Sequence, residues 1–416
     1  MPALNKLGLL ISFSVMATAV TSLDALAQQP TADVVHWLTS GAESEAITIL
    51  AKEFEKRGGK WVDSAAPGGP TDAQALIMNR IAGGNPPGVA FISVGHSAVE
   101  LGKEGLLQDI KAEAEKNGAD VTSDVMLKLV SDTDGALYAL PIAIESSNLA
   151  WLSKTVYDEA GLTFPKSWAE FLEQAKVLKE KGYIPLAVGA QGWQLSILFN
   201  SVLLAEAGND TFDAIVNTKT AEAAGSAKVV QAFTTMRALS TYSDAGASNR
   251  AWNDTLNLVA EGKAAVQIMG SWAGAELTKM GLERGDKWDC ILPPGNTRLI
   301  LDGAGFEFPK VTNADDVAGQ ALFVQVMMDP AVQAKFAAVK GAVPARLDAD
   351  TSGLAPCDQM SAQIIRDSGS FPSPSSVLGN ESGGQIEDLL SRFWADASLS
   401  PEEAAKQYSD IVSGGQ

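Results

Sequence analysis

The sequence predicts an α/β protein with mainly parallel sheets, and two observations carry that prediction. From residue 33 onward, short apolar runs alternate with amphipathic segments of helical period, which is the pattern of successive strand and helix units. Several of the apolar runs are hydrophobic at consecutive positions, as strands covered on both faces are. The strand candidates are VVHWL from Val34, GVAFISV from Gly88, YALPIAI from Tyr138 and AAVQIMG from Ala264.

Helix starts between these runs are marked by capping-box pairs, in which Ser or Thr is followed three residues later by Glu or Gln. The pairs, each ahead of a hydrophobic face, are Ser40 with Glu43, Thr71 with Gln74, and Ser167 with Glu170. Gly182 marks the end of the third of these helices. The stretch DSGSFPSPSSVLGNESGGQ from Asp367 is rich in Ser, Pro and Gly, so we predict a long surface loop there.

The amino-terminal segment indicates export. Lys6 precedes an apolar run from Leu7 to Val20, and the segment ends in Ala25-Leu26-Ala27, which predicts a secretory signal peptide cleaved after Ala27. The run is shorter than the ~20 residues that span a bilayer. With 416 residues, 46% of them hydrophobic and 19% charged, the chain is long enough for about two or three domains. We therefore expect a soluble mature protein in the periplasm.

The charge and the scarce ligand-type residues limit the partners. A net charge of -19 excludes the basic surface that nucleic acid or an anionic membrane requires, so we expect neither as a partner, and we expect a monomer. Only His36 and His96 could supply imidazole, so no metal or other cofactor is expected. Cys290 and Cys357 either pair, as two exported cysteines usually do, or remain buried thiols.

Catalytic motifs do not stand out. The sequence contains no GxSxG, HExxH or GxxxxGK[ST] pattern, so we predict no catalytic residues and no enzyme. A glycosidase pair among the 50 acidic residues is the alternative that counting leaves open.

Four tryptophans each have at least one polar neighbour in the sequence, where a core tryptophan would normally have apolar ones: Trp37, Trp193, Trp252 and Trp272. Flat rings flanked by amides and carboxylates suit a sugar, whose C–H faces stack on indole while its hydroxyls take directed hydrogen bonds. Any one of these rings could equally pack a hinge. The four together favour a sugar site.

Five segments carry a family resemblance. They are VHWLTSGAE from Val35, AGGNPPG from Ala82, the stretch from Ser167 to Gln194, VAEGKAAVQIMGSWAGAEL from Val259 and VKGAVPARLD from Val339. The first is similar to a family opening HWWTSGGE and the second to its AGNPPD turn. In number, order and spacing, the segments resemble the sugar-binding proteins of ABC importers, in the branch of periplasmic glucose- and mannose-type binders.

The resemblance implies a type II periplasmic-binding-protein-like fold, with two α/β lobes, a hinge and a ligand cleft between them. The expected lobes are residues 28–142 with about 295–344, and residues 143–294 with about 345–416. It implies a periplasmic component that binds a mono- or oligosaccharide or a polyol and delivers it to the permease subunits. A secreted carbohydrate-active enzyme and a binding protein serving a sensory receptor are the alternatives.

The same resemblance implies ligand-binding residues. Trp37 and Glu43 would line the cleft from the N-terminal lobe, with Lys340 as a further contact. The residues expected from the C-terminal lobe are Trp193, Gln194, Trp252 and Trp272. A helix cap is the alternative role of Glu43. Cys290 and Cys357 fall where the family commonly carries its disulfide.

Departures from the family pattern indicate an altered site. Leu38 replaces the second opening tryptophan, Gly192 replaces a proline, residues 90–95 lack a hexose-contacting lysine, and Ala304 stands where an aspartate is usual. A site built for hydroxyls loses affinity when its polar partners are removed, so we do not expect a standard glucose site. The candidates for replacement contacts are Glu145, Ser146, His96 and Glu307.

Overall fold

The strands form two separate sheets in the computed structural model, which describes residues 29–414 apart from the side chains of Ser368 and Asn380. The signal peptide expected over residues 1–27 lies outside the described residues. In chain order the strands are β1 (Thr31–His36), β2 (Lys60–Ala65), β3 (Val89–Ser93), β4 (Ala139–Ser146), β5 (Leu149–Ser153), β6 (Ile184–Leu186), β7 (Ala264–Met269), β8 (Trp288–Ile291), β9 (Leu299–Glu307), β10 (Val343–Pro344) and β11 (Ser370–Pro372).

Helices cover these sheets. They are α1 (Gly41–Lys56), α2 (Pro70–Ala82), α3 (Ser97–Lys103), α4 (Lys111–Lys116), α5 (Asp124–Lys128), α6 (Lys154–Ala160), α7 (Trp168–Glu180), α8 (Gly192–Ala207), α9 (Asn209–Asp213), α10 (Ala221–Ala224), α11 (Ala227–Ser240), α12 (Trp252–Ala260), α13 (Trp272–Lys279), α14 (Ala314–Met327), α15 (Pro330–Lys340), α16 (Pro356–Ser368), α17 (Pro374–Ala395) and α18 (Pro401–Gly414). Between residues 29 and 414, no helix combines the length and the apolar character needed to cross a membrane.

The sheets are mixed, so the prediction of mainly parallel sheets is wrong in detail. The larger sheet has the order β10-β4-β9-β3-β1-β2, with β11 beside β9, and the smaller sheet has the order β6-β7-β5-β8. Strand β1 is parallel to β2 and β3, but β9 runs antiparallel to both β3 and β4. The difference arises because β9 returns from the smaller sheet and enters the larger one in the opposite direction.

The local signals were largely accurate. All four strand candidates form strands, β1, β3, β4 and β7. Ser167 caps α7, with its hydroxyl accepting a bond from the Glu170 N–H at 3.2 Å. The N-cap predicted at Thr71 is wrong, because the N-cap is Gly69, two residues earlier, and α2 begins at Pro70, whose fixed φ suits the first helical position.

The chain passes between the sheets more than once. Strand β4 ends in the larger sheet at Ser146 and β5 begins in the smaller sheet at Leu149, while β8 and β9 make the return. A disulfide joins Cys290 of β8 to Cys357 of α16, as the family resemblance implies, with an Sγ–Sγ distance of 2.01 Å. The two cysteines are 67 residues apart in the sequence. By lowering the entropy of the unfolded chain, a link of this length stabilises the folded state by about 4 kcal/mol in the chain-entropy model.

Each sheet has its own aromatic packing. Beneath the larger sheet, the ring of Phe306 lies 5.1 Å from Phe91 and 4.8 Å from Phe323, measured between centroids. At the smaller sheet, Phe199 of α8, the helix that contacts β7, lies 4.4 Å from Phe233 of α11, measured between centroids. These fully buried rings hold the sheets rigid, so residues at the strand ends have fixed positions.

Candidate ligand-binding site

A cavity of about 630 Å³ is lined by residues that follow or belong to strands of the larger sheet and by the first turns of several helices. Trp37 and Thr39 follow β1, while residues 92–95 end and follow β3. Because β1 and β3 are parallel neighbours, their carboxyl ends meet at one edge of the sheet, where ligands commonly bind in open α/β sheets. The sheet order therefore places the opening segment of the sequence at the cavity.

Three of the four predicted tryptophans stand at helix starts. Trp193 lies in the first turn of α8, and Trp252 and Trp272 are the first residues of α12 and α13. Side chains in a helix lean toward its amino end, so residues in the first turn reach past the helix into the cavity. The Trp272 ring lies 6.4 Å from Trp193 and 6.5 Å from Trp252, at interplanar angles of 44° and 82°. The three rings form one aromatic corner.

The fourth tryptophan belongs to a different part of the wall. Trp37 lines the cavity beyond the end of β1 and packs edge-on against Phe91, with centroids 4.6 Å apart. Neutral polar side chains also line the cavity, among them Thr39, Ser40, Gln74, Gln191, Asn200 and Asn253. The arrangement combines flat apolar faces with directed hydrogen-bonding groups, which is the combination that a polyhydroxylated ligand requires.

Lys340, the last residue of α15, brings two predicted acidic residues together. Its Nζ lies 2.6 Å from Glu145 Oε1 and 3.6 Å from Glu43 Oε1, and it also lies 5.1 Å from the centre of the Trp272 ring. Burial by itself would lower the pKa of Lys340, but the carboxylates of Glu145 and Glu43 raise that pKa above its usual value. The lysine is therefore charged, although only 3% of its side chain is exposed.

Glu43 has both of the roles that the sequence left open, that of a helix cap and that of a cavity residue. It lines the cavity, and its Oε2 accepts a hydrogen bond from the Ser40 N–H at 3.4 Å at the start of α1. Burial raises the pKa of Glu43, and the nearby Lys340 charge opposes that rise. The carboxylate thus caps the helix and faces the cavity at once.

Asp302 is a cavity residue that sequence reasoning missed. It lies on β9 directly opposite Glu145 of β4, and the Ser373 hydroxyl donates a hydrogen bond to it. Burial, with a contribution from the Glu145 charge, raises the pKa of Asp302 to about 6, although the Ser373 hydrogen bond acts against this. Ala304 also lines the cavity, so a carboxylate is present two residues before the position where this chain has alanine in place of the family's usual aspartate. The signal was a lone acidic residue within the apolar run LILDGAGF.

The carboxyl-terminal stretch also reaches the cavity, and its prediction as a surface loop is wrong. Residues 370–372 form β11, and α17 starts at Pro374 after Ser373, whose hydroxyl accepts a bond from the Ser376 N–H at 3.3 Å. The residues of this stretch that line the cavity are Ser373, Ser375, Ser376, Gly379, Gly383 and Gly384, and Glu387, two residues beyond its end, lines it too. Burial, and to a smaller extent Asp388, raises the pKa of Glu387 to about 7. A capping serine and tertiary packing outweigh the low helix propensity of Ser and Gly here.

The remaining candidates lie elsewhere. Gln194 is buried behind the cavity wall, where its Nε2 donates to the Arg250 carbonyl at 2.9 Å and to Gln191 Oε1 at 2.7 Å. Ser146, His96 and Glu307 are not among the lining residues, so Glu145 alone of the four replacement candidates faces the cavity. Burial raises the pKa of Glu307 to about 8, and its Oε1 has no hydrogen-bond partner among residues 29–414.

Two helix-covered sheets around an aromatic, polar-lined cavity define a two-lobed solute-binding protein. Residues 39–334 match the family model described as bacterial extracellular solute-binding protein. The chain is 31% identical to a "Probable sugar-binding periplasmic protein" of Brucella suis biovar 1 (strain 1330), over 96% of this chain and 97% of the relative. It is 32% identical to a protein of the same description from Rhizobium meliloti (strain 1021), over 90% of this chain and 92% of that one.

A solved structure described as "Chitin oligosaccharide binding protein" is similar with a TM-score of 0.79 and 19% identity, covering 93% of this chain and 99% of that chain. This similarity confirms the type II periplasmic-binding-protein-like fold. The protein belongs to the bacterial extracellular solute-binding protein family.

Proposed function

We propose that this protein is the periplasmic sugar-binding component of an ABC importer, which binds a sugar or a sugar-like polyol and delivers it to the membrane permease. The observation that carries the proposal is the aromatic corner of Trp193, Trp252 and Trp272 in a cavity that also presents amides, hydroxyls and carboxylates. Relatives over nearly the full chain are described as probable sugar-binding periplasmic proteins, which supports it. The protein binds its ligand and carries out no reaction.

The ligand contacts follow from the lining of the cavity. Trp37, Trp193, Trp252 and Trp272 supply stacking faces, and Glu43, Glu145 and Lys340 supply polar contacts. Gln194 is a positioning residue, because it holds Gln191, which does line the cavity. The site is not a standard glucose site, since the wall formed by residues 92–95 carries no lysine.

Transport requires the cavity to close on its ligand and to open at the permease. The moving lobes expected from the sequence are residues 28–142 with about 295–344, and residues 143–294 with about 345–416, and the strand pairing adjusts two of these bounds. Strand β4 stays in the larger sheet up to Ser146, so the first boundary belongs a few residues beyond Ile142. Strand β11 pairs with β9, so residues 370–372 move with the larger sheet. The signal peptide directs export, and the mature protein is a monomer.

A titration separates this function from catalysis. The exported protein is incubated with a panel of sugars and polyols, while tryptophan fluorescence reports binding and chromatography reports products. We expect saturable fluorescence change with at least one sugar and no product. Turnover of a saccharide would overturn the binding role, and an absence of binding across the panel would overturn the sugar assignment. Calorimetry with glucose tests the altered site, because tight binding of glucose would contradict it.

A further inference from the structure

The charged lining of the cavity is strongly one-sided. Four carboxylates face it, those of Glu43, Glu145, Asp302 and Glu387, whereas Lys340 is the single basic side chain among the lining residues that the structure describes. A buried charge is costly unless an opposite charge or several hydrogen bonds compensate it. A neutral sugar would leave this imbalance unchanged.

The one cation is already engaged. Lys340 Nζ hydrogen-bonds Glu145 at 2.6 Å and lies 3.6 Å from Glu43, so its charge is shared between those two carboxylates. Asp302 and Glu387 take part in no salt bridge of residues 29–414. Two cavity carboxylates are therefore left without a cation.

Asp302 has the least favourable neighbour. It is the direct cross-strand partner of Glu145, and like charges in that relationship destabilise a sheet. The groups that hydrogen-bond to the Asp302 carboxylate are neutral hydroxyls, those of Ser373 and Ser147. Asp358 is a further buried carboxyl near Lys340, and burial raises its pKa well above its usual value, so it is not counted among the negative charges of the cavity.

Helix starts around the cavity contribute partial positive charge, which favours carboxylates. Ser373 caps α17 beside Asp302, and Glu387 lies against Gly192 at the start of α8. A helix end is equivalent to only about half an elementary charge and its effect is confined to the first turn. The aromatic corner acts in the same direction as the carboxylates, because the faces of tryptophan rings also attract cations.

We propose that the transported ligand is a sugar that carries a protonated amino group. The carboxylate of Asp302 accepts a hydrogen bond from the ammonium, and the carboxylate of Glu387 attracts the same positive charge. This inference rests on the proposed sugar-binding function. The tryptophans stack on the face of the sugar ring, and Lys340 stays paired with Glu145 and with Glu43. The ammonium of the sugar supplies the cation that Asp302 and Glu387 lack.

Matched sugars test this inference without any change to the protein. Glucosamine, galactosamine and mannosamine are each compared with the parent hexose and with the N-acetyl derivative, and the β-1,4 dimer of glucosamine is compared with cellobiose and N,N′-diacetylchitobiose. Calorimetry at pH 7 gives each dissociation constant. We expect at least one amine to bind ten-fold or more tightly than both of its neutral counterparts, with affinity that falls as salt is added.

A variant pair locates the acceptor. Asp302→Asn should reduce the preference for the amine over its neutral counterparts to less than about three-fold, and Asp286→Asn, at an exposed position, should leave that preference unchanged. If a neutral sugar binds best and its amino analogue gains nothing, this inference is wrong and the sugar-binding function stands. If no saccharide binds at all, the proposed function fails and the inference fails with it.

Discussion

The carboxylate of Glu276 accepts a hydrogen bond from the backbone N–H of Ala42 at 3.0 Å. Glu276 lies on α13, which follows β7 of the smaller sheet, whereas Ala42 lies in the first turn of α1, which follows β1 of the larger sheet. The acidic group thus caps a helix of the opposite half, where the helix dipole favours negative charge. Lys279 Nζ strengthens this junction through the Gly41 carbonyl at 2.6 Å.

We expect Glu276→Ala to lower the free energy of unfolding by about 1–2 kcal/mol, because the buried N–H of Ala42 loses its acceptor. Urea denaturation followed by circular dichroism measures the change. The control is Glu55→Ala, which removes an exposed carboxylate from α1, the helix whose first turn Glu276 caps. Equal stability of the two variants would show that the junction contributes nothing.

Replacing Trp193 by Phe should weaken binding of the identified sugar about ten-fold, because a smaller ring covers less of the ligand and the indole N–H bond to Gln191 Oε1, 3.2 Å long, is lost. Trp61→Phe is the matched control, since Trp61 of β2 stacks on Phe323 of α14 and does not line the cavity. Fluorescence or calorimetric titration gives both affinities. A similar loss in the two variants would mean that the aromatic corner does not contact the ligand.

The sequence predicted what depends on local signals. The run VVHWL predicted β1 and the pair Ser167 with Glu170 predicted α7. Both signals, a run of apolar residues and a helix cap, depend only on residues that are close together in the sequence. The direction of β9 could not be predicted, since it depends on where the chain returns from the smaller sheet. Four tryptophans of the cavity were found because their polar neighbours are unusual for core residues.

The rest of the cavity depends on contacts between distant segments. Asp302 meets Glu145 through strand pairing, and Ser373 meets Asp302 across 71 residues of sequence. No local pattern reports such pairings. The Ser- and Gly-rich composition around Gly379 even indicated a loop, although only Gly379 itself leaves the helical conformation: its φ of 82°, which glycine adopts without strain, makes a kink within α17.

Glu307 should make stability fall as the pH rises. Burial raises the pKa of its carboxyl to about 8 from an ordinary value of 4.5, so the folded state keeps a proton that the unfolded state releases. The stability due to the protonated group is therefore complete below pH 4.5 and is lost progressively up to about pH 8. We expect Glu307→Gln to flatten the decline in unfolding free energy between pH 5 and pH 8, by about a few kcal/mol.

Urea denaturation at several pH values tests the role of Glu307. The control, Glu55→Gln, changes an exposed carboxyl and should keep the wild-type pH profile. The carboxyls of Asp302 and Glu387 also have raised pKa values, so some decline will remain in the Glu307→Gln variant. An unchanged profile in that variant would contradict the assignment.

Lys340 and Glu145 should behave as one unit in a double-mutant cycle. Lys340→Met leaves two buried carboxylates without their cation, so we expect a loss of about 3 kcal/mol in unfolding free energy, together with weaker binding of the identified sugar. Glu145→Gln in the same chain removes one of those carboxylates and should recover part of the loss. The expected coupling energy is at least about 1 kcal/mol, because the two groups are in contact. Strictly additive effects, measured by urea denaturation at pH 7, would show that the pair seen at 2.6 Å does not hold the cavity wall together.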